Sequence, residues 1–239
     1  MQDDFSPQPT QQNRREPLFN APVIAWGMAA LLVGLHALVS FAPFPQQIQW
    51  QYDYALVPRR FWAEAGSPDA YPDLFASLVT LLTTGFLHAD WMHVLVNAAM
   101  LLAFGTGVAR VLGADMAGVV KWLVVYLASV IVGSIAYLAL NGVDAGAAVG
   151  ASGGTSGLMG AAMIAAGGGG PAAVMSRQFL GFTAVFAIAN VIFVLAGPSL
   201  IGMAIAWEAH AGGYAAGAVA MALLGPRLRP PAGTVGEAT

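Results

Sequence analysis

Cysteine is absent from the 239 residues. Disulfides, thiolate metal sites and a cysteine nucleophile are thereby excluded. Charge is nearly as scarce: 9% of residues are charged and 58% hydrophobic, where soluble domains carry about a quarter charged residues. So few charges cannot coat a water-exposed globule of this length, which points to a membrane protein. The net charge of −3 leaves no basic surplus for nucleic acid. No metal or cofactor is expected.

What the chain does have is long apolar runs. A helix rises about 1.5 Å per residue, so about 20 residues cross a hydrocarbon core of about 30 Å. Segments of that kind fall at 22–42, 91–110, 118–140, 152–170, 178–197 and 207–224. Lipid-exposed backbone must satisfy its own hydrogen bonds, so these spans are read as helices. The fourth and sixth are short and rich in Gly and Ala, a composition suited to close packing inside a bundle. The predicted architecture is therefore an all-α polytopic bundle of six transmembrane helices, with residues 21–225 as its one domain. Residues 1–20 and 226–239 read as a disordered N-terminal tail and a short Pro/Gly tail. The first run is longer than a signal-peptide core and lacks an A-x-A site after it, so it reads as retained.

Residues 43–87 form a long outer loop, unusual enough to be functional or to hold short helices of its own. Orientation follows from the nine Lys and Arg residues. With the N-terminus inside, Arg14, Arg15, Arg110, Lys121, Arg177, Arg227 and Arg229 face the cytoplasm, and only Arg59 and Arg60 lie outside. Both termini are then cytoplasmic.

Polar residues within apolar helices are costly and ask for a reason. His93 and Asn97 are four apart, on one face of the second span, near its outer end. Ser152 opens the fourth span among small residues, where first-turn N–H groups are unpaired and can stabilise an anion. His210 opens the sixth, beside Glu208. Taken singly, each cluster has a structural reading too. His and Asn make interhelical hydrogen bonds, and Gly153 with Gly157, or Gly213 with Gly217, make packing faces. Depth links the clusters, because the second, fourth and sixth spans all begin on the outer side. One plane then holds a nucleophile, a general base and oxyanion donors. His36, in the first span, shows no partner in the sequence and reads as structural.

Three motifs in order resemble the rhomboid family. The second span carries His-x-x-x-x-His-x-x-x-Asn at His88, His93 and Asn97. The fourth carries Gly-x-Ser-Gly at Gly150, Ser152 and Gly153, then Leu158, Met159 and Gly160. The sixth carries His-x-x-Gly-x-x-x-Gly at His210, Gly213 and Gly217. The resemblance implies an intramembrane serine endopeptidase with a Ser152–His210 dyad. Asn97, His93 and the Ser152 N–H would hold the oxyanion. It further implies substrate-binding and cap residues Gly150, Met203, Ile205 and Trp207, with the segment Gly202 to Ala209 as the cap over the site and Met203 and Ile205 pointing in. Substrates would be single-span membrane proteins, cut near a small residue at the outer face of the bilayer. The implied location is a bacterial inner membrane.

The pattern departs from the family at two places. Ser156 stands where relatives carry an aromatic that stacks on the catalytic histidine, and Ala109 stands where an acidic residue follows Gly105. Ser152 rather than Ser156 is the expected nucleophile, since Ser156 lies about 6 Å deeper along the helix. The rival readings are a rhomboid-like binding or chaperone protein without chemistry, and a small transporter. The transporter reading is weakened by the lack of any Asp or Glu in mid-span.

Overall fold

The computed structural model describes residues 21–201 and 205–227, all-α with one isolated bridge between Leu56 and Ala148. Helix α1 covers Val23–Ser40, α2 Phe44–Tyr54, α3 Pro58–Phe61 and α4 Leu74–Thr83. Then come α5 at Trp91–Leu112, α6 at Met116–Leu140, α7 at Ser152–Ala166, α8 at Arg177–Ile201 and α9 at Trp207–Leu224. Both terminal tails, apart from 226–227, lie outside the described residues, as do Gly202, Met203 and Ala204.

Among the described residues, four helices are long and apolar enough to cross a membrane: α1, α5, α6 and α8. The other two expected spans, α7 and α9, are the Gly/Ala-rich ones and fall short on length or hydropathy. Expected ends shift where local chemistry sets them. Asp115 accepts from Gly118 N at 2.9 Å and so starts α6 two residues before position 118. At the same end of the bundle, α7 stops at Ala166 rather than at 170. Gly168, Gly169 and Gly170 there adopt positive φ, and a 3₁₀ turn at Pro171–Met175 leads into α8.

The loop 43–87 contains α2, α3 and α4, so much of it is ordered. Its anchor is Arg60, whose guanidinium lies 3.6 Å from the Tyr52 ring centroid and 4.1 Å from that of Tyr71. Arg60 also donates to the carbonyl oxygens of Tyr52 and Ala70. Asp73 caps α4 by accepting from Ala76 N at 2.7 Å. From this anchored loop, Leu56 pairs with Ala148 through two backbone hydrogen bonds of 3.3 and 2.8 Å. The loop thus fixes the segment leading into Ser152.

The centre of the bundle is α7, enclosed by α5, α6 and α9. A Cβ at Gly213 would collide with the Gly153 carbonyl, and one at Gly217 with the Gly157 carbonyl. Only hydrogen side chains let the two backbones cross this closely. Trp122 on α6 braces the other side by donating its indole N–H to Gly105 O at 2.9 Å. Helix α1 attaches through the stripe Ala25, Met28, Ala29, Leu32 and His36, at the spacing of one helix face.

Candidate active site

Ser152 is the first residue of α7. The backbone before it turns at Gly150, where φ is +128°. A Cβ there would also stand 2.7 Å from the His93 ring and 3.8 Å from Asn97 Nδ2. Both the strained φ and the missing space require glycine at this position. Gly150 N donates to Thr84 O at 2.9 Å, and Ala151 N donates to His88 Nε2 at 3.3 Å. The turn that presents Ser152 is therefore held by the ends of α4 and α5. The Ser152 N–H lies in the first turn of α7, where helical geometry supplies no acceptor.

His93 and Asn97 sit on α5, whose N-cap Asp90 accepts from His93 N at 2.8 Å. Asn97 Nδ2 donates to His93 O at 3.1 Å, and its Oδ1 accepts from Thr155 on α7 at 3.4 Å. A carbonyl only accepts, so this pairing fixes which end of the Asn97 amide is nitrogen. The nitrogen keeps its second proton and lies on the Gly150 side.

His88 is buried at 2% exposure, and burial, followed by the nearby His93 and His36, pushes its pKa down to about 3. It is therefore a neutral acceptor for the Ala151 N–H at neutral pH. His36 turns out to have partners. Its Nε2 is 3.2 Å from Ser40 Oγ, and its ring stands edge-on to Trp91, with centroids 4.8 Å apart. The His36, His88 and His93 rings form a continuous row, with centroids 6.2 and 5.1 Å apart. Among the described residues no group of three or more His or acidic side chains could hold a metal ion.

His210 lies in the first turn of α9. Its Nδ1 is 2.9 Å from Asn190 Oδ1 on α8. Helix α9 meets the start of α7 here, since a Cβ at Gly153 would stand 3.5 Å from Ala209 O. Ser152, Gly153, Ala206 and Ala209 also share the lining of a cavity of about 30 Å³, room for about one water. Among the described residues no hydrogen bond joins Ser152 Oγ to His210. Catalytic pairs commonly stand apart until substrate arrives.

Gly150, two residues before Ser152, thus lies against His93 and Asn97, and His210 stands on the helix that crosses α7 at Gly153. A family model for the rhomboid domain matches residues 76–227, well over half of the chain. The chain belongs to the rhomboid family. It is a multi-pass membrane protein of a family made up mostly of intramembrane serine proteases, inactive relatives included. A search of curated proteins returns no match.

Of the residues expected to form a cap on this rhomboid domain, Met203 lies outside the described residues. Ile205 just precedes α9 and is partly buried. Trp207 opens α9, is 41% exposed, and lines a second cavity of about 520 Å³ between α8 and α9. Ser156 is buried one turn inside α7. Sequence reasoning missed Asn190. Its signal was there, because Thr183 and Asn190 are the only hydrogen-bonding side chains between Phe179 and Ala196, and they are seven residues apart on one face.

Proposed function

We propose that the chain is an intramembrane serine endopeptidase that cuts single-span membrane proteins near the outer face of the bilayer. Ser152 Oγ attacks the scissile carbonyl carbon while His210 takes its proton. As the C–N bond breaks, His210 gives that proton to the leaving amine and an acyl ester remains on Ser152. Water, deprotonated by His210, then attacks the ester, and the proton returns to Ser152 as the new C-terminus leaves. Asn97, His93 and the Ser152 N–H donate to the oxyanion.

The observation that carries this reading is the Gly150 turn. It leaves no room for a Cβ between the backbone before Ser152 and the His93 ring, and it brings that backbone into contact range of Asn97 Nδ2. His93 and Asn97 on α5 thereby flank the turn that leads into Ser152, across more than fifty residues of chain, which supports a role for them beside that serine. The decisive test is reconstitution in liposomes with a panel of single-span reporter proteins. Wild type is expected to cleave, and Ser152→Ala and His210→Ala each to fall to background while remaining folded. Cleavage within about tenfold of wild type in either variant would sink the dyad.

A second reading is a rhomboid-like binding protein without chemistry, favoured by the missing Ser152–His210 hydrogen bond. Fluorophosphonate separates the two, since it labels an activated serine and leaves an idle one unmodified. The basic-residue distribution supports cytoplasmic termini, and the membrane proposed, on the family resemblance, is a bacterial inner membrane. A cysteine placed at Gly225 should resist impermeant thiol reagents in intact cells, and labelling from outside would overturn that orientation.

A further inference from the structure

Relatives with an aromatic at the position of Ser156 have a ring there to stack on the catalytic histidine; this chain has a hydroxyl. Yet His210 has a partner. Its Nδ1 stands 2.9 Å from Asn190 Oδ1, contributed by the neighbouring helix α8. The other end of the same amide is committed as well, since Asn190 Nδ2 donates to Phe186 O at 2.8 Å. A backbone carbonyl can only accept, so the nitrogen must face Phe186 and the oxygen must face His210. An amide oxygen cannot donate. The proton in the Asn190–His210 bond must therefore reside on His210 Nδ1, which leaves Nε2 of the neutral ring with its lone pair free.

We infer that Asn190 is a positioning residue that locks neutral His210 in the Nδ1–H tautomer, with Nε2 as the available base. The role in catalysis rests on the peptidase reading; the tautomer does not. The lock is braced one to two turns deeper along the same two helices. Thr183 and Tyr214 hydroxyls are 2.7 Å apart, and the Phe186 ring stacks on Tyr214 with centroids 4.5 Å apart and planes 20° apart. Thr183 precedes Asn190 by seven residues and Tyr214 follows His210 by four, so one side of each helix carries both contacts. A polar side chain in the candidate span of highest mean hydropathy among the described residues also acquires a purpose, since both ends of its amide are engaged, the nitrogen by Phe186 and the oxygen by His210. The arrangement has the logic of a nucleophile–base–orienter triad with an amide as the third member.

The test is nitrogen-15 NMR of histidine-labelled protein in detergent, with the His210 signal assigned by its loss in His210→Ala. Wild type is expected to show a protonated Nδ1 and a bare Nε2. Asn190→Leu should show a mixture of tautomers, and Asn190→Asp, which still accepts from Nδ1, should restore the wild-type pattern. In parallel, Asn190→Leu should lower kcat on a cleaved reporter by roughly 10- to 100-fold with KM little changed. That is part of the roughly 100- to 10,000-fold that general-base catalysis supplies. An Nε2–H tautomer in wild type overturns the inference even if no Asn190 variant folds. Wild-type kcat in Asn190→Leu overturns the positioning role. If the Nδ1–H tautomer is found but neither cleavage nor Ser152 labelling is seen, the tautomer lock stands and the peptidase reading fails.

Discussion

Helices α7 and α8 follow one another in the chain and are both apolar, yet α7 is mostly enclosed while no residue of Arg177–Ala196 is buried. The difference lies in side-chain size. Helix α7 is SGGTSGLMGAAMIAA, and its glycines meet the Gly213–Gly217 face of α9 backbone to backbone. Helix α8 presents Val185, Ile188, Val191, Ile192 and Leu195 outward, as a helix facing hydrocarbon should. Hydropathy accordingly flags α8 as the stronger span, although α7 is the more central helix. The proposed dyad sits on the enclosed pair α7 and α9, and α8 reaches α9 through two polar contacts, at Thr183 and at Asn190.

The contrast is broken most severely by changes on the enclosed side. Asn97→Ala and His93→Ala should each lower kcat by about 100- to 1000-fold, the usual loss for one oxyanion donor, while fluorophosphonate still labels Ser152 slowly. Wild-type turnover in both would reduce the pair to packing residues. Next in size, Gly217→Ala pushes a methyl into the Gly157 carbonyl and should cost about 1–3 kcal/mol of stability. Leu195→Ala on α8, where Leu195 is 77% exposed, should stay within about 0.5 kcal/mol. Equal losses of thermal stability in detergent would show that α8 is as tightly held as α7.

A smaller effect is pH-dependent. His88 is neutral in the fold because burial holds its pKa near 3, whereas an unfolded histidine takes up a proton below about 6.5. Its contribution is present above the unfolded value and is lost as pH falls from about 6.5 toward about 3. His88→Gln should remove one proton's worth of slope from the Tm–pH curve in that window. An unchanged slope would mean that His88 is solvated. The smallest expected effect is Ser156→Ala, which should keep most of the activity; an inactive but folded variant would put the nucleophile one turn deeper.

Much of the fold was legible because partition into lipid is a local property. Runs of about 20 apolar residues announce α1, α5, α6 and α8 without reference to any neighbour. Helix ends were less legible, since caps and glycines decide them residue by residue, as Asp115 and the stretch 167–170 do. The long loop 43–87 announced itself by length and proline content. That it holds the residues ahead of Ser152 through Leu56 and Ala148 depends on a contact across ninety residues of chain, which no local pattern encodes.

By itself the sequence determined the membrane class, three polar clusters at one depth and the glycines that let α7 and α9 meet. Each of these follows from spacing along a single helix, where 3.6 residues per turn convert sequence separation into a face and a height. Which cluster touches which was decided only in three dimensions. His36 gained Trp91 and Ser40 as partners, Ala151 gained His88, and His210 gained Asn190. Helices with the same length and hydropathy can rotate freely about their axes as far as lipid is concerned. Close packing and the need to satisfy every buried polar group remove that freedom, and only then does an asparagine in α8 face a histidine in α9.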